Sequence, residues 1–393
     1  MLVPVSRLRI VAAAVGLALA LAALPLAVPI AAASSPNLFV ARHHSSDTNP
    51  CTAHKPCRTI GHAVDVAPPG ATIHVGTGKY AEQVSITKRL TLKGVHAVID
   101  ATGQTGGIEP LASMGLVGYG VLVFGPGASG STVRGFTVQH ALGEGILVAG
   151  TSRVRIEYNT VRHNDAGFGT AATIECQVQG NIPGDCGEGL HFVGVTWSKI
   201  AHNRVYDNVG GILITDETGP SAHNVISYNL IRNNKEDCGI TLPSHNGAAM
   251  TDPKLGGVYD NLVFHNVSVG NGGAGVGMFA PFPGTASYNN RVIGNVLRNN
   301  GEAGVAIHAH APGMNVSGNV IRGNWISGNL IDPDAGSTQP NGISIFSAVV
   351  PVDVTVARNH IAHEYWGIFI AGPVTIHGLS TNHYASSVTH HTN

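Results

Sequence analysis

One recurring phrase restricts what this chain can fold into. Its first half is a glycine followed by an apolar-x-apolar triplet. This occurs at Gly145-Ile-Leu-Val, Gly189-Leu-His-Phe, Gly211-Ile-Leu-Ile, Gly239-Ile-Thr-Leu, Gly275-Val-Gly-Met, Gly304-Val-Ala-Ile, Gly342-Ile-Ser-Ile and Gly367-Ile-Phe-Ile. Its second half is Asn-x-(Val/Ile)-x-x-Asn, as in Asn159 to Asn164, Asn203 to Asn208, Asn261 to Asn266 and Asn319 to Asn324. Runs this short, alternating apolar with non-apolar and broken by Asn and Gly, are strands and not helices. The shortest repeat, Gly189 to Gly211, is 22 residues. A unit of that length holding two or three strands is one coil of a parallel β-helix, and longer spacings are insertions at the turns. Asn suits such turns because it tolerates left-handed backbone and its stacked amides can hydrogen-bond from coil to coil.

Composition narrows the function classes. Charged residues are 11% of the 393, and Lys+Arg (22) balance Asp+Glu (23). With no basic surplus to neutralise phosphates, nucleic acid is excluded as a partner. Apolar content of 43% excludes disorder.

Arg7 and Arg9 precede an apolar run, Ile10 to Ile30, and then Ala31-Ala32-Ala33. Residues 1–33 read as a secretory signal peptide, placing the protein outside the cell or in the envelope or periplasm. A retained anchor is the alternative, against which Pro25 and Pro29 count. No later segment is apolar enough to span a membrane after cleavage. An oxidising compartment makes short-loop disulfides the economical pairing, Cys51–Cys57 and Cys176–Cys186, with Cys238 left as a buried thiol.

Thr59 to Ala67, ended by Pro68-Pro69-Gly70, reads as a short helix that caps the open first coil. The expected divisions are 34–70 for the N-terminal segment and capping helix, 71–372 for the solenoid and 373–393 for a tail.

The stretch PCRTIGHAVDVAPPGATIHVGTGKYAEQVSI, followed by LTLKGVHAVIDATG, resembles the entry of the pectin-lyase-like right-handed parallel β-helix proteins. The later Asn and Gly phrases resemble the repeats of that superfamily, including the copper-associated accessory proteins of the NosD type. The resemblance implies an all-β, single-stranded right-handed parallel β-helix of roughly ten to twelve coils at the usual strand spacing. It implies no single activity, because the superfamily holds lyases, hydrolases, esterases, epimerases and non-catalytic members. The signature residues of polygalacturonases, pectate lyases, alginate epimerases and pectin methylesterases are missing, so no catalytic residue is carried over.

Site candidates come from aligning the coils on the anchor glycine. The first and third residues after it should face inward, the second and fourth outward. The outward columns hold His191 and Thr241, then Phe279, His308 and Phe346, which read as a shallow sugar-binding groove joined by Asn246. The sixth position brings Glu217, His245 and His310 to one edge, with Asp216 and Glu188 nearby. Acid–base cleavage of a polysaccharide is the expected chemistry. Asp216 and Glu217 would be the carboxyl pair, His245 and His310 bases, and Glu188 a neighbour. His308, His310, Asp332 and Asp334 are candidate ligands for Ca²⁺ or a transition metal. The alternatives are a non-catalytic envelope-binding or copper-associated accessory protein and a purely structural solenoid.

Overall fold

The computed structural model describes residues 36–170, 176 and 186–393. The expected signal peptide lies outside the described residues.

Each full coil carries strands on three faces, for example Gly210–Thr215, Val225–Ser227 and Leu230–Arg232. On the first face, eleven described strands stack in parallel from Val84–Ile86 to His390–Thr392. The other two faces repeat the pattern. Lys199–Ala201, Val225–Ser227 and Leu262–Phe264 stack on one, and Arg204–Tyr206, Leu230–Arg232 and Val267–Val269 on the other.

The register keeps like above like. Ile212, Ile240, Val276, Val305, Ile343 and Ile368 follow one another rung by rung, all fully buried. Phe192, Ile214, Leu242, Met278, Ile307 and Ile345 form the next column of the same core. Each such side chain contributes about 1.5–3 kcal/mol through burial.

Three buried asparagine ladders hold the corners. One runs Asn224, Asn261, Asn290, Asn319. A second runs from Asn159 through Asn203, Asn229, Asn266, Asn295, Asn324 and Asn359 to Asn382. The third runs from Asn164 through Asn208, Asn234, Asn271, Asn300 and Asn329, and ends on the Glu364 carboxylate. Within a ladder, one Oδ1 accepts both the backbone N–H and the side-chain amide of the Asn on the previous coil, as Asn266 does from Asn229 at 3.0 Å each. The residue before the ladder Asn makes the corner in the left-handed region: Tyr158, His202, Tyr228 and His265 have φ of 52–58°. Their rings stack in a row, with centroids 4.8, 5.3 and 5.5 Å apart.

The expected cap is present. The helix Ile60–Val66 packs Ile60, Ala63 and Val64 against the first coil. Thr59 caps it through His62 N–H, and the Glu82 carboxylate accepts from Ile60 and Gly61 N–H at 2.9 and 2.8 Å. Asn37–Val40, ahead of the helix, adds a parallel strand to Thr72–Val75. Both expected disulfides are formed, and Cys238 is buried against Ala274, Ala303 and Ala306.

Two expectations are corrected. The stretch 373–393 is no tail: Val374–His377, His383–Tyr384 and His390–Thr392 pair in parallel with the preceding coil. Asn382 extends the second ladder there, and Ile376, Tyr384 and Val388 extend the core, without the anchor-glycine phrase. The outward columns are also not a shallow open groove. His191 and His308 are almost wholly buried, as are Leu213, Val193, Thr215, Ala306 and Ser344 of the same columns. Leu111, Leu116 and Tyr119 of one insertion form a separate apolar cluster with Leu122, Leu147, Ala149 and Val193.

Among the described residues, no helix is long and apolar enough to cross a membrane.

Candidate functional site

The insertions leave a chemically equipped gap. A cavity of about 290 Å³ lies against the outward side of the first face. Its walls include Leu213, Thr241, Pro243, Phe279 and His308 from the strands, and His245, Pro281 and His310 just beyond them. Glu236, Asp237, Glu302 and Asp334 come to it from the turns. No Lys or Arg is among its described lining residues. A second recess, about 500 Å³, lies where Trp325, His360 and His383 stack, but no carboxyl lines it. Of these two recesses, the first is the one that brings carboxyls and imidazoles together among the described residues.

The sixth-position column places Glu217 beside His245. His245 Nδ1 donates to Glu217 Oε1 at 2.7 Å, which orients the imidazole at the cavity wall. Burial would raise the Glu217 carboxyl, but the His245 hydrogen bond and charge outweigh it and hold it down, to about 2. Behind this pair, the Thr215 side chain contributes to holding the Glu217 carboxyl down, and His191 Nε2 meets the Thr215 hydroxyl at 3.0 Å. His191 Nδ1 lies 3.4 Å from Glu144 Oε1. A polar line thus runs from Glu144 through four coils to His245. His191 belongs to that buried line and not to the cavity wall.

Asp216 does not pair with Glu217 in the cavity. Its fully buried carboxylate accepts from the Ser244 hydroxyl and from the N–H groups of His245, Asn246 and Gly257. All four donors belong to the insertion between Pro243 and Val258, so Asp216 pins that loop. Asn246 is another loop-builder: Oδ1 accepts from Ala248 N–H at 3.0 Å, and Nδ2 donates to Leu255 O at 2.8 Å. Glu188 is buried under Gly210, where a Cβ would overlap its carboxylate. It is not among the cavity-lining residues.

At the other end of the cavity, His308 is buried and its Nε2 meets Asp332 Oδ2 at 2.7 Å. Asp334 Oδ2 lies 4.0 Å from His308 Nδ1 and 3.9 Å from His310 Nε2. Phe279 and Phe346 flank these imidazoles, with Phe279 5.0 Å from His308 and Phe346 5.3 Å from His310. Burial and the nearby His308 lower the His310 pKa, favouring a neutral ring. Asp332 is engaged by His308 and by Ala335 N–H.

Counting forward from the anchor glycine misses Glu302. Burial, reinforced by the Asp332 charge, pushes its carboxyl up to about 7. Glu236 and Asp237 are missed for the same reason, since all three precede the glycine of their coil. Aligning the residues before that glycine would have shown the signal: Glu144, Glu188, Asp237 and Glu302 sit one or two positions ahead of it.

Residues 119–278 match a family model described as the right handed beta helix region. No curated protein matches the chain. Among solved structures, the chain is similar to the mannuronan C-5 epimerase AlgE4 A-module of Azotobacter vinelandii, with 13% identity, 85% of this chain and 92% of that chain covered, and a TM-score of 0.47. It is similar to the Dettilon tailspike protein at 15% identity, with 83% of this chain and 64% of that chain covered and a TM-score of 0.52. It is similar to pectate lyase Pel9A at 16% identity, with 87% and 77% covered and a TM-score of 0.45. These likenesses concern the path of the backbone and leave the reaction to the chemistry of the site. Stacked parallel coils, and the family match over 119–278, agree that the chain folds as a right-handed parallel β-helix.

Proposed function

We propose that the chain is an exported carbohydrate-active protein that hydrolyses a neutral polysaccharide in the cavity on its first face. The observation carrying this reading is the convergence of Glu302 and the Glu217–His245 pair on one cavity edged by Phe279 and Pro281. Glu302, protonated in part at neutral pH, would give its proton to the leaving glycosidic oxygen. His245, turned by Glu217, would take a proton from the attacking water. Phe279 offers an apolar face to a sugar ring, and Thr241 a hydroxyl. Carboxyls at Glu236, Asp237 and Asp334, with no Lys or Arg among the described lining residues, disfavour a uronate polymer while no cation is bound, because its own charge would be repelled.

The test is a product assay across neutral and acidic polysaccharides, reading reducing ends and unsaturated-sugar absorbance together. New reducing ends without unsaturation, abolished in Glu302→Gln, are expected. Unsaturated products, or full activity in Glu302→Gln, would overturn the assignment.

A further inference from the structure

We propose that His308, His310 and Asp334 form a binding site for a divalent transition metal of the zinc class, with Asp332 as the outer carboxylate that orients His308. The three residues offer one ligand atom each, all within 4.8 Å of one another. A tetrahedral ion with bonds of about 2.0–2.2 Å holds its donors roughly 3.3–3.6 Å apart. The observed 3.9 and 4.0 Å separations to Asp334 Oδ2 exceed this by well under an ångström, and the His308–His310 separation, within 4.8 Å, by up to about 1.5 Å. Asp334 has the room to do so, with 69% of its side chain exposed, and His310 is one-third exposed.

His308 is the fixed point. Its side chain is 2% exposed, and Asp332, fully buried, holds its Nε2 at 2.7 Å. With the proton on Nε2, the lone pair is on Nδ1, the nitrogen that faces Asp334. A carboxylate behind a histidine in this manner fixes the ligand's tautomer and makes it a stronger donor. Asp332 is held in turn by Ala335 N–H at 3.3 Å. A His–Asp hydrogen bond serving the fold alone would need only His308 and Asp332. It would not account for His310 and Asp334 converging on the opposite nitrogen.

Two imidazoles and one carboxylate suit zinc, copper, nickel or cobalt and not Ca²⁺, which takes six to eight oxygens. Three protein ligands leave a fourth position, and His310 and Asp334 both line the cavity, so that position faces it. Among the described residues, the other three-residue grouping, Cys51, Cys57 and His62, lacks this capacity because its two sulfurs are bonded to each other.

This inference concerns the same cavity as the cleavage reading but is read without turnover. The chelator-stripped chain is titrated with Zn²⁺ by calorimetry and with Co²⁺ by visible absorption. One saturable site is expected, with the intense cobalt band of a tetrahedral N/O set. Loss of that site in His310→Ala and in Asp334→Asn is expected, both changes being at partly exposed positions that leave the core intact. Asp332→Asn should weaken Zn²⁺ binding about 10–100-fold. No saturable site in the wild-type chain would overturn the proposal. So would a site unchanged in the His310→Ala, Asp334→Asn double variant. A chain that binds Zn²⁺ at these residues but cleaves no glycan would sink the cleavage reading alone.

Discussion

Glu217 and His245 come from turns of adjacent coils and meet at 2.7 Å, carboxylate to imidazole, at the wall of the cavity. The parallel register makes them neighbours, since Ile212 and Leu213 pair with Ile240 and Thr241 immediately before. If the carboxylate only steers the ring, Glu217→Gln lowers kcat by less than the roughly 10²–10⁴-fold that loss of the base itself would cost. KM should hold. Steady-state kinetics of Glu217→Gln beside His245→Ala measure the difference.

The same carboxylate leaves a mark on acid stability. Its folded pKa is held down at about 2 against an ordinary 4.5. Its contribution is therefore present above about pH 4.5 and lost as pH falls through about 2. The difference in Tm between wild type and Glu217→Gln should shrink across that interval. A gap that does not change with pH would refute the pairing.

Asp216→Ala should release the loop between Pro243 and Val258 rather than act on chemistry. It strips the acceptor from three backbone N–H groups and the Ser244 hydroxyl. Each buried donor left without a partner costs about 1–3 kcal/mol. Hydrogen exchange should accelerate at residues 245–257 and stay unchanged in the asparagine ladders.

Glu364 gives the opposite pH dependence. It ends the third ladder, accepting from Asn329 N–H and Nδ2 at 3.0 Å, and burial pushes its carboxyl up to about 7. A raised folded pKa means that its stabilisation is full below the ordinary 4.5 and is lost as pH rises through about 7. Glu364→Gln keeps the accepting oxygen without the charge. Its Tm should exceed that of wild type above pH 7 and converge with it near pH 5.

Ladder and ring stack can be separated at one corner. Asn266→Ala removes the acceptor of Asn229 N–H and Nδ2 and the donor to Ile226 O and Asn295 Oδ1. It should cost on the order of 3 kcal/mol. Tyr228→Ala removes an exposed ring stacked between His202 and His265, and should cost less than about 1.5 kcal/mol. Urea unfolding of the two variants ranks them.

How much of this was legible follows from how local each signal is. The Gly triplets and Asn phrases encode strand alternation and corner hydrogen bonds within a few residues, so the coils could be read directly. Glu217 and His245 could be paired because both lie six residues past their glycine, close enough to the paired strands Ile212–Leu213 and Ile240–Thr241 for the register to carry over. Asp216 could not be read as a loop pin, since nothing in its own coil says that Gly257 N–H returns to it. The burial of His191 and Thr215 was equally hidden, because it depends on how distant insertions fold. Glu302 was visible in the wrong direction, two residues ahead of Gly304.

The unequal insertions have a consequence for how the chain finds its frame. Successive anchor glycines from Gly145 to Gly367 are separated by 44, 22, 28, 36, 29, 38 and 25 residues. A solenoid built from near-identical rungs invites a slip of one whole coil, because an Ile seated where a Val belongs loses little and every amide still finds an amide. Distinct lengths make each coil addressable. A slipped chain would leave Asp216 opposite a loop with no returning N–H groups, and would separate His245 from its carboxylate. The residues that equip the cavity would then also proofread the winding of the helix beneath it.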